Sequence, residues 1–462
     1  MYKRQACDIS TGVDSNSGQV DLNAIKANYT IAMGYPKIGS LIEPGKSFSG
    51  LITSVDIGFP KKIKELNGTK WKIVTDKYIK KTLKPLKRDT HKYKQGKVLI
   101  LAGSDGMTGA AYLSTMGALR SGCGITKTFA PASLKNIYEK KITEGMTIAC
   151  NDKDLGYFTT RNYSQITEHI DWADAVLIGP GLGTNSETVK LLKMLYRSIN
   201  KPMVIDADGF SAFYKDRALI KRLKSKCVLT PHAGELSNLL NVPSEVIKKD
   251  LIRSIEKITQ SGVGVLVAKG APSLISNGKY GFINSTGNPG LATAGSGDIL
   301  SGIITSFIAQ GYKLIEATVI SCYIHGYAAD IKSKEISERG IIASDLLVDI
   351  GKKLADYERI NGNTKETISI LHDAYKEAIF SDEYFMRAME ASIFISYIVT
   401  QTKKMKIETP RLELESDKLH IVALAVQGRI DSITSRIPQT NSNIELKEFL
   451  DRIKKLRVRT NG

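Results

Sequence analysis

The sequence predicts an α/β fold built around a mostly parallel sheet, and three observations carry the prediction. Short apolar runs of strand length recur between residues 91 and 350; each ends in Gly, Pro, Asp or His; and a helical periodicity usually follows. Strands that alternate with helices need right-handed crossovers, which cover both faces of a parallel sheet.

The first run is KVLILAG (97–103), followed by AAYLSTMGALRSG in helical register. DAVLIGPG (174–181) comes next and leads into NSETVKLLKMLYRSI, whose apolar positions fall three and four apart. PMVIDADG (202–209), CVLTPH (227–232) and VGVLVAKG (263–270) complete the series. In open sheets of this kind ligands sit beyond the carboxyl ends of the strands, where this chain concentrates its Gly, Asp and His. ISNGKYGFIN, with Asn277-Gly278 at its centre, reads as a hairpin.

The flanks differ. Residues 1–65 open on what looks like a strand end and its loop, DISTGVDSNSG, and continue into a strand-like hairpin, GLITSVDIGFP, too small to bury a core of its own. Residues 66–90 are Lys-rich without a clear apolar face and read as a connector. Residues 358–462 are rich in helix formers, with IELKEFLDRIKKLRVR as a terminal amphipathic helix, and carry no recognisable chemistry.

Composition narrows the function classes. The 462 residues are 42% hydrophobic and 24% charged, which is globular rather than disordered. No apolar run approaches the roughly 18–20 residues that span a bilayer. The five cysteines lie far apart with no CxxC pair, which excludes a disulfide scaffold or zinc ribbon and suits a reducing compartment. A net charge of +18 invites a nucleic-acid reading. Yet residues 1–90, 91–360 and 361–462 carry +8, +8 and +2, mostly as isolated Lys without Arg-rich blocks. A solvated Lys-rich surface explains that spread better, and the same field would favour an anionic small molecule.

Six motifs could carry chemistry. In NPGLATAGSGDILSGIITSFIAQG, glycines precede Asp298 and an apolar helix. Backbone N–H groups at such a helix start can cradle an anion, with Asp298 as a base toward a nearby hydroxyl; alternatively Asp298 caps the helix. VLVAKGAPSLIS ends a buried strand at Lys269, either a plain strand-end Lys or a nucleotide contact. CVLTPHAGELSNLL sets His232 between strand and helix, as a turn residue or a ligand contact, with Glu235 in the first helical turn. Asp206 and Asp208 in VIDADG could bind a ribose hydroxyl or hydrated Mg²⁺, or cap a helix. IGPGLG either turns the chain or cradles substrate. Gly109-Ala110-Ala111 opens a helix with little bulk, for a flat ligand or for close packing.

Taken together and in order, HKYKQGKVLILAGSDGMTGAA, LIGPGLG, VIDADG, LTPHAGE, VAKGAPSLI and GNPGLATAGSGDILSG closely resemble the NAD(P)H-hydrate dehydratases over about residues 91–357. The resemblance implies a ribokinase-like three-layer sandwich. It implies a repair reaction on hydrated NADH or NADPH, with ADP, or ATP, as co-substrate and Mg²⁺ present. By the same likeness Asp298 is the base and Gly295 and Gly297 line the anion hole. Lys269, Gly270, Ala271, Pro272 and Ser273 form the nucleotide segment, with Pro272 where the family more often has Gly. Gly109, Ala110, Ala111, Gly181, His232 and Asp298 contact the substrate. A cytoplasmic homo-oligomer without membrane or nucleic-acid partners is the matching expectation.

Residues 1–65 resemble the closing part of an NAD(P)H-hydrate epimerase domain, with Asp8 and Thr11 at its substrate and potassium positions. The family's Asn/Gly-rich loop is missing from this sequence, so no epimerisation is expected. A ribokinase-like small-molecule kinase using the same GSGD base is the alternative enzyme. A non-catalytic nucleotide- or RNA-binding protein is the alternative outside catalysis.

Overall fold

The computed structural model describes residues 3–59, 70–87, 89–223 and 226–357. Two units divide the chain, Met1–Tyr357 and Glu358–Gly462. The helical extension expected over 358–462 lies outside the described residues.

The first unit contains two sheets. Strands β1 (Gln5–Cys7), β2 (Tyr29–Met33) and β3 (Leu51–Val55) form a small parallel sheet in that order. The expected hairpin at 50–60 is therefore a single strand, β3, paired parallel to β2. Ile31, Met33, Leu51 and Val55 stay exposed on this sheet, in keeping with a segment that buries little of its own surface.

The large sheet holds β4 (Trp71–Ile73), β5 (Lys97–Leu101), β6 (Ile125–Pro131), β7 (Met146–Cys150), β8 (Ala175–Ile178), β9 (Met203–Ile205), β10 (Cys227–Leu229), β11 (Val265–Ala268), β12 (Leu274–Ser276) and β13 (Gly281–Ile283). Its order is β4-β13-β12-β11-β10-β9-β8-β5-β6-β7. Pairing is parallel except in the β11-β12-β13 meander. The turn of that meander falls on Asn277-Gly278, where the Asn277 side chain accepts from the N–H groups of Lys279 and Tyr280.

The expected connector is partly structural. Trp71–Ile73 pairs with β13 at the sheet edge, and Ile79 and Leu83 of the following helix are buried in the core. The Lys-rich composition hid this, because only two buried positions in the helical stretch are needed to dock it.

Alternation along the strands builds a core on each face. Val98 and Ile100 join one cluster, while Leu99 and Leu101 join the other. Against the first face lie helices Thr108–Arg120 and Ser296–Ala309, both almost swallowed by the interior. Their contact is glycine-mediated. A Cβ on Gly302 would stand 2.1 Å from the Ser114 carbonyl oxygen, and one on Gly117 would stand 2.6 Å from that of Ile299. Gly302→Val should therefore cost roughly 3 kcal/mol or more, read from the urea unfolding midpoint. A loss below about 0.5 kcal/mol would contradict the close approach.

The strand order also fixes where ligands bind. From β5 the chain moves outward through β6 and β7, then returns to β8 on the other side of β5. The connections thus leave the carboxyl ends of β5 and β8 in opposite directions, the switch point at which doubly wound sheets form a ligand crevice.

Candidate active site

That crevice is lined by two loops locked to each other. Gly103 N–H donates to the Pro180 carbonyl at 2.7 Å, and the Ser104 hydroxyl donates to the Gly181 carbonyl at 2.8 Å. Gly181 has φ +61°, and a Cβ there would lie 2.8 Å from the Ala110 Cβ. The small residues at 109–111 therefore serve close packing against the GPGLG loop as well as an open helix start. Asp208 ties in the next strand, its carboxylate accepting from Gly183 N–H at 2.9 Å.

Beside the crevice, the ends of β9, β10 and β11 converge on a cluster of charges. Lys269 Nζ lies 2.6 Å from Asp206 Oδ1, and the Asp206 side chain is only 1% exposed. Burial alone would lower the Lys269 ammonium. The carboxylates of Asp206, Glu235 and Asp298 overcome that and hold it above its ordinary value. A Cβ on Gly297 would come within 3.3 Å of Lys269 Nζ, so glycine there lets the ammonium approach the helix start.

Asp298 stands in the first turn of Ser296–Ala309, but it does not cap that helix. The cap position is Gly295, at φ +88°, and no side chain fills it. The carboxyl of Asp298 is thus left for other work. Burial, reinforced by the Asp206 and Asp208 carboxylates and opposed by Lys269, pushes it up to about 6. That value suits a base working near neutral pH.

His232 does cap a helix, Ala233–Leu240. Its Nδ1 accepts from the N–H groups of Gly234 and Glu235, at 3.0 and 3.3 Å, while Glu235 Oε2 accepts from His232 N–H at 2.8 Å. Burial, then Lys269, lowers the imidazole's pKa and favours its neutral form. With Nδ1 occupied as an acceptor, the neutral ring carries its proton on Nε2. His232 is therefore a fixed hydrogen-bond donor, and Nε2 lies 3.4 Å from Glu235 Oε1. The structural and ligand readings of this residue are compatible. Glu235, which the sequence suggested only as an acid favoured by the helix dipole, is pushed up to about 7, chiefly by burial.

A cavity of about 830 Å³ opens next to these groups. His232, the whole Lys269–Ser273 stretch, Ser296 and Gly297 line it, as does the 283–289 loop. Asp330 holds that loop, accepting from Gly287 N–H and from the Asn288 amide. Sequence reasoning did not single out Asp330 or the cavity-lining His325; both sit in a long apolar helix without any local motif. Gly109, Ala110, Ala111, Gly181, Gly295 and Asp298 are not among the residues that line the cavity.

The N-terminal positions are differently engaged. Asp8, at φ +66°, accepts from Lys37 Nζ at 2.5 Å and from Met33 N–H at 3.0 Å. The Thr11 carbonyl accepts from Ile25 N–H. Among the described residues no group of three or more His, Cys, Asp or Glu could hold a metal, and no helix is long and apolar enough to cross a membrane.

Residues 98–352 match the family model described as NAD(P)H-hydrate dehydratase. The bifunctional NAD(P)H-hydrate repair enzyme of Moorella thermoacetica is 34% identical over 344 residues, covering 74% of this chain and 65% of the relative. That of Coxiella burnetii is 31% identical, covering 74% and 67%. The chain thus spans about two thirds of the length of such relatives. Among solved structures, a ribokinase-like superfamily protein of Enterococcus faecalis superposes with a TM-score of 0.55 at 23% identity, covering 63% of this chain and 97% of that one. An ADP/ATP-dependent NAD(P)H-hydrate dehydratase of Bacillus subtilis, co-crystallized with ATP/Mg²⁺, gives 0.52 at 24% identity, covering 62% and 98%. Both likenesses establish the ribokinase-like fold.

Proposed function

The chain belongs to the NAD(P)H-hydrate dehydratase family, and from that membership we propose that it returns the S-epimer of hydrated NADH or NADPH to the reduced cofactor. ADP is the phosphoryl donor in this reading, and AMP and phosphate are released. The observation that carries it is the raised, uncapped carboxyl of Asp298 at a glycine-opened helix start, in one charge cluster with Lys269 and beside a nucleotide-sized cavity.

The chemistry follows from the groups present. Asp298 takes the proton of the ring hydroxyl as its oxygen attacks the terminal phosphorus of ADP. The bond from that phosphorus to the bridging oxygen breaks, and AMP leaves. Main-chain N–H groups from Gly295 onward and the Lys269 ammonium offset the charge that spreads over the phosphoryl oxygens. The lone pair of the ring nitrogen then expels phosphate, and loss of a proton from the adjacent ring carbon restores the double bond.

In this reading the hydrated ring lies over Gly109, Ala110, Ala111 and Gly181, with His232 Nε2–H donating to it. Lys269, Gly270, Ala271, Pro272 and Ser273 run along the nucleotide. Mg²⁺ would come bound to the nucleotide phosphates, since hydrated Mg²⁺ is commonly held through substrate phosphates.

Mixing the protein with hydrated NADH and ADP should restore the absorbance of the reduced nicotinamide and release one AMP per turnover. A phosphorylated product without restored absorbance would instead indicate a small-molecule kinase. Because Asp298 must be ionised to act, kcat/KM should climb about tenfold per pH unit below about 6 and level off above it. A profile flat between pH 5 and 8 would remove Asp298 from the role of base.

A further inference from the structure

The cavity beside the charge cluster has a wall that does not come from the ribokinase-like fold. Ser40, Leu41, Lys46, Gly50, Leu51 and Ile52 of the N-terminal segment line it together with the Lys269–Ser273 loop. Their position is anchored. Ile42 is 2% exposed within the core of the large sheet, and the Gln19 amide donates to the Lys248 carbonyl at 2.9 Å.

We propose that the N-terminal segment is a working part of the nucleotide site, in which Lys46 pairs with the nucleotide phosphates while Leu41 and Ile52 cover the base. This rests on the nucleotide reading of the cavity given above. Two observations support it. Lys46 is a cation on the lining of a cavity assigned to a polyanion, and no carboxylate ion pair of its own is found among the described residues. Leu41, Leu51 and Ile52 line the same space as Ile73 and Ile283, giving apolar surface for a flat base.

The likeness to an epimerase domain assigns this segment no such role. The inference therefore gives the N-terminal residues a function independent of epimerisation.

Direct binding of ADP and of adenosine to the full chain tests it, by calorimetry at two salt concentrations. Lys46→Glu should raise the Kd for ADP about 5- to 10-fold and weaken its salt dependence, while adenosine binding changes little. Lys46→Arg should restore most of the affinity. Ile52→Asp should weaken adenosine and ADP alike. Lys26→Glu, the same charge reversal on an exposed site of the segment outside the cavity lining, controls for the overall field and should leave both constants unchanged. Wild-type affinity in Lys46→Glu and Ile52→Asp, with ADP still bound by the parent chain, would overturn the inference alone. Failure of the parent chain to bind ADP would overturn the nucleotide reading beneath it.

Discussion

Asp298→Asn should lower kcat by about 10²- to 10⁴-fold while leaving the Kd for ADP within a few-fold of the parent. The amide keeps the size of the side chain and its place in the first helical turn, but it cannot accept the hydroxyl proton. Loss of a positioned base typically falls in that range. Stability supplies a second readout with a definite sign. The folded carboxyl titrates near 6 against an ordinary value of 3.8, so burying it costs nothing extra while it is protonated. The cost appears as pH rises above 3.8 and is complete above about 6. Asp298→Asn removes that cost, so the variant should be more stable than the parent at pH 8, with the gap closing toward pH 4. Turnover within threefold of the parent would end the base assignment. Unchanged stability at pH 8 would show that the carboxyl is not buried at a penalty.

Lys269→Met is expected to have the largest effect on the fold, about 3–5 kcal/mol, because it strands the Asp206 carboxylate in the interior. Removing one partner of a buried pair is far worse than removing both. Asp206→Asn combined with Lys269→Met should therefore recover much of the stability that Lys269→Met loses, although neither variant should bind ADP at the parent's affinity. Urea unfolding of the parent, the two single variants and the double variant gives the coupling directly. A double variant no more stable than Lys269→Met would mean that the pair is not the main support of these strand ends. Comparing ADP affinity in Asp206→Asn and Lys269→Met then separates the charge on the nucleotide from the architecture around it.

Much of the fold was legible because the signals were local. KVLILAG and DAVLIGPG announce buried parallel strands by composition alone, and Asn277-Gly278 announces its turn by backbone conformation. The candidate site was legible where glycine was required: Gly295 takes a positive φ, and Gly297 leaves room for the Lys269 ammonium. What escaped detection depends on chain segments far apart in sequence. Trp71–Ile73 is a strand only because β13 offers an edge, and Asp330 matters only because the Gly287-Asn288 turn folds over it. Glu235 looked like an ordinary first-turn acid. Its altered acidity comes from burial and from Asp206, Asp208 and Lys269 arriving on other strands. The 50–60 stretch reads as a hairpin because nothing local reveals that its partner is the parallel strand β2.

The way His232 closes its helix has a consequence under acid. The ring can take up a second proton only at Nδ1, and doing so turns the acceptor of two main-chain N–H groups into a competitor for them. Folding therefore favours the neutral imidazole, and its contribution fades as pH falls below the range where a free histidine titrates. Mild acidification should thus fray Gly234 and Glu235 first, visible as faster exchange of their amide hydrogens while the central strands remain protected. The same residue that would hold the ring in place would then release it, disarming the site well before the protein unfolds.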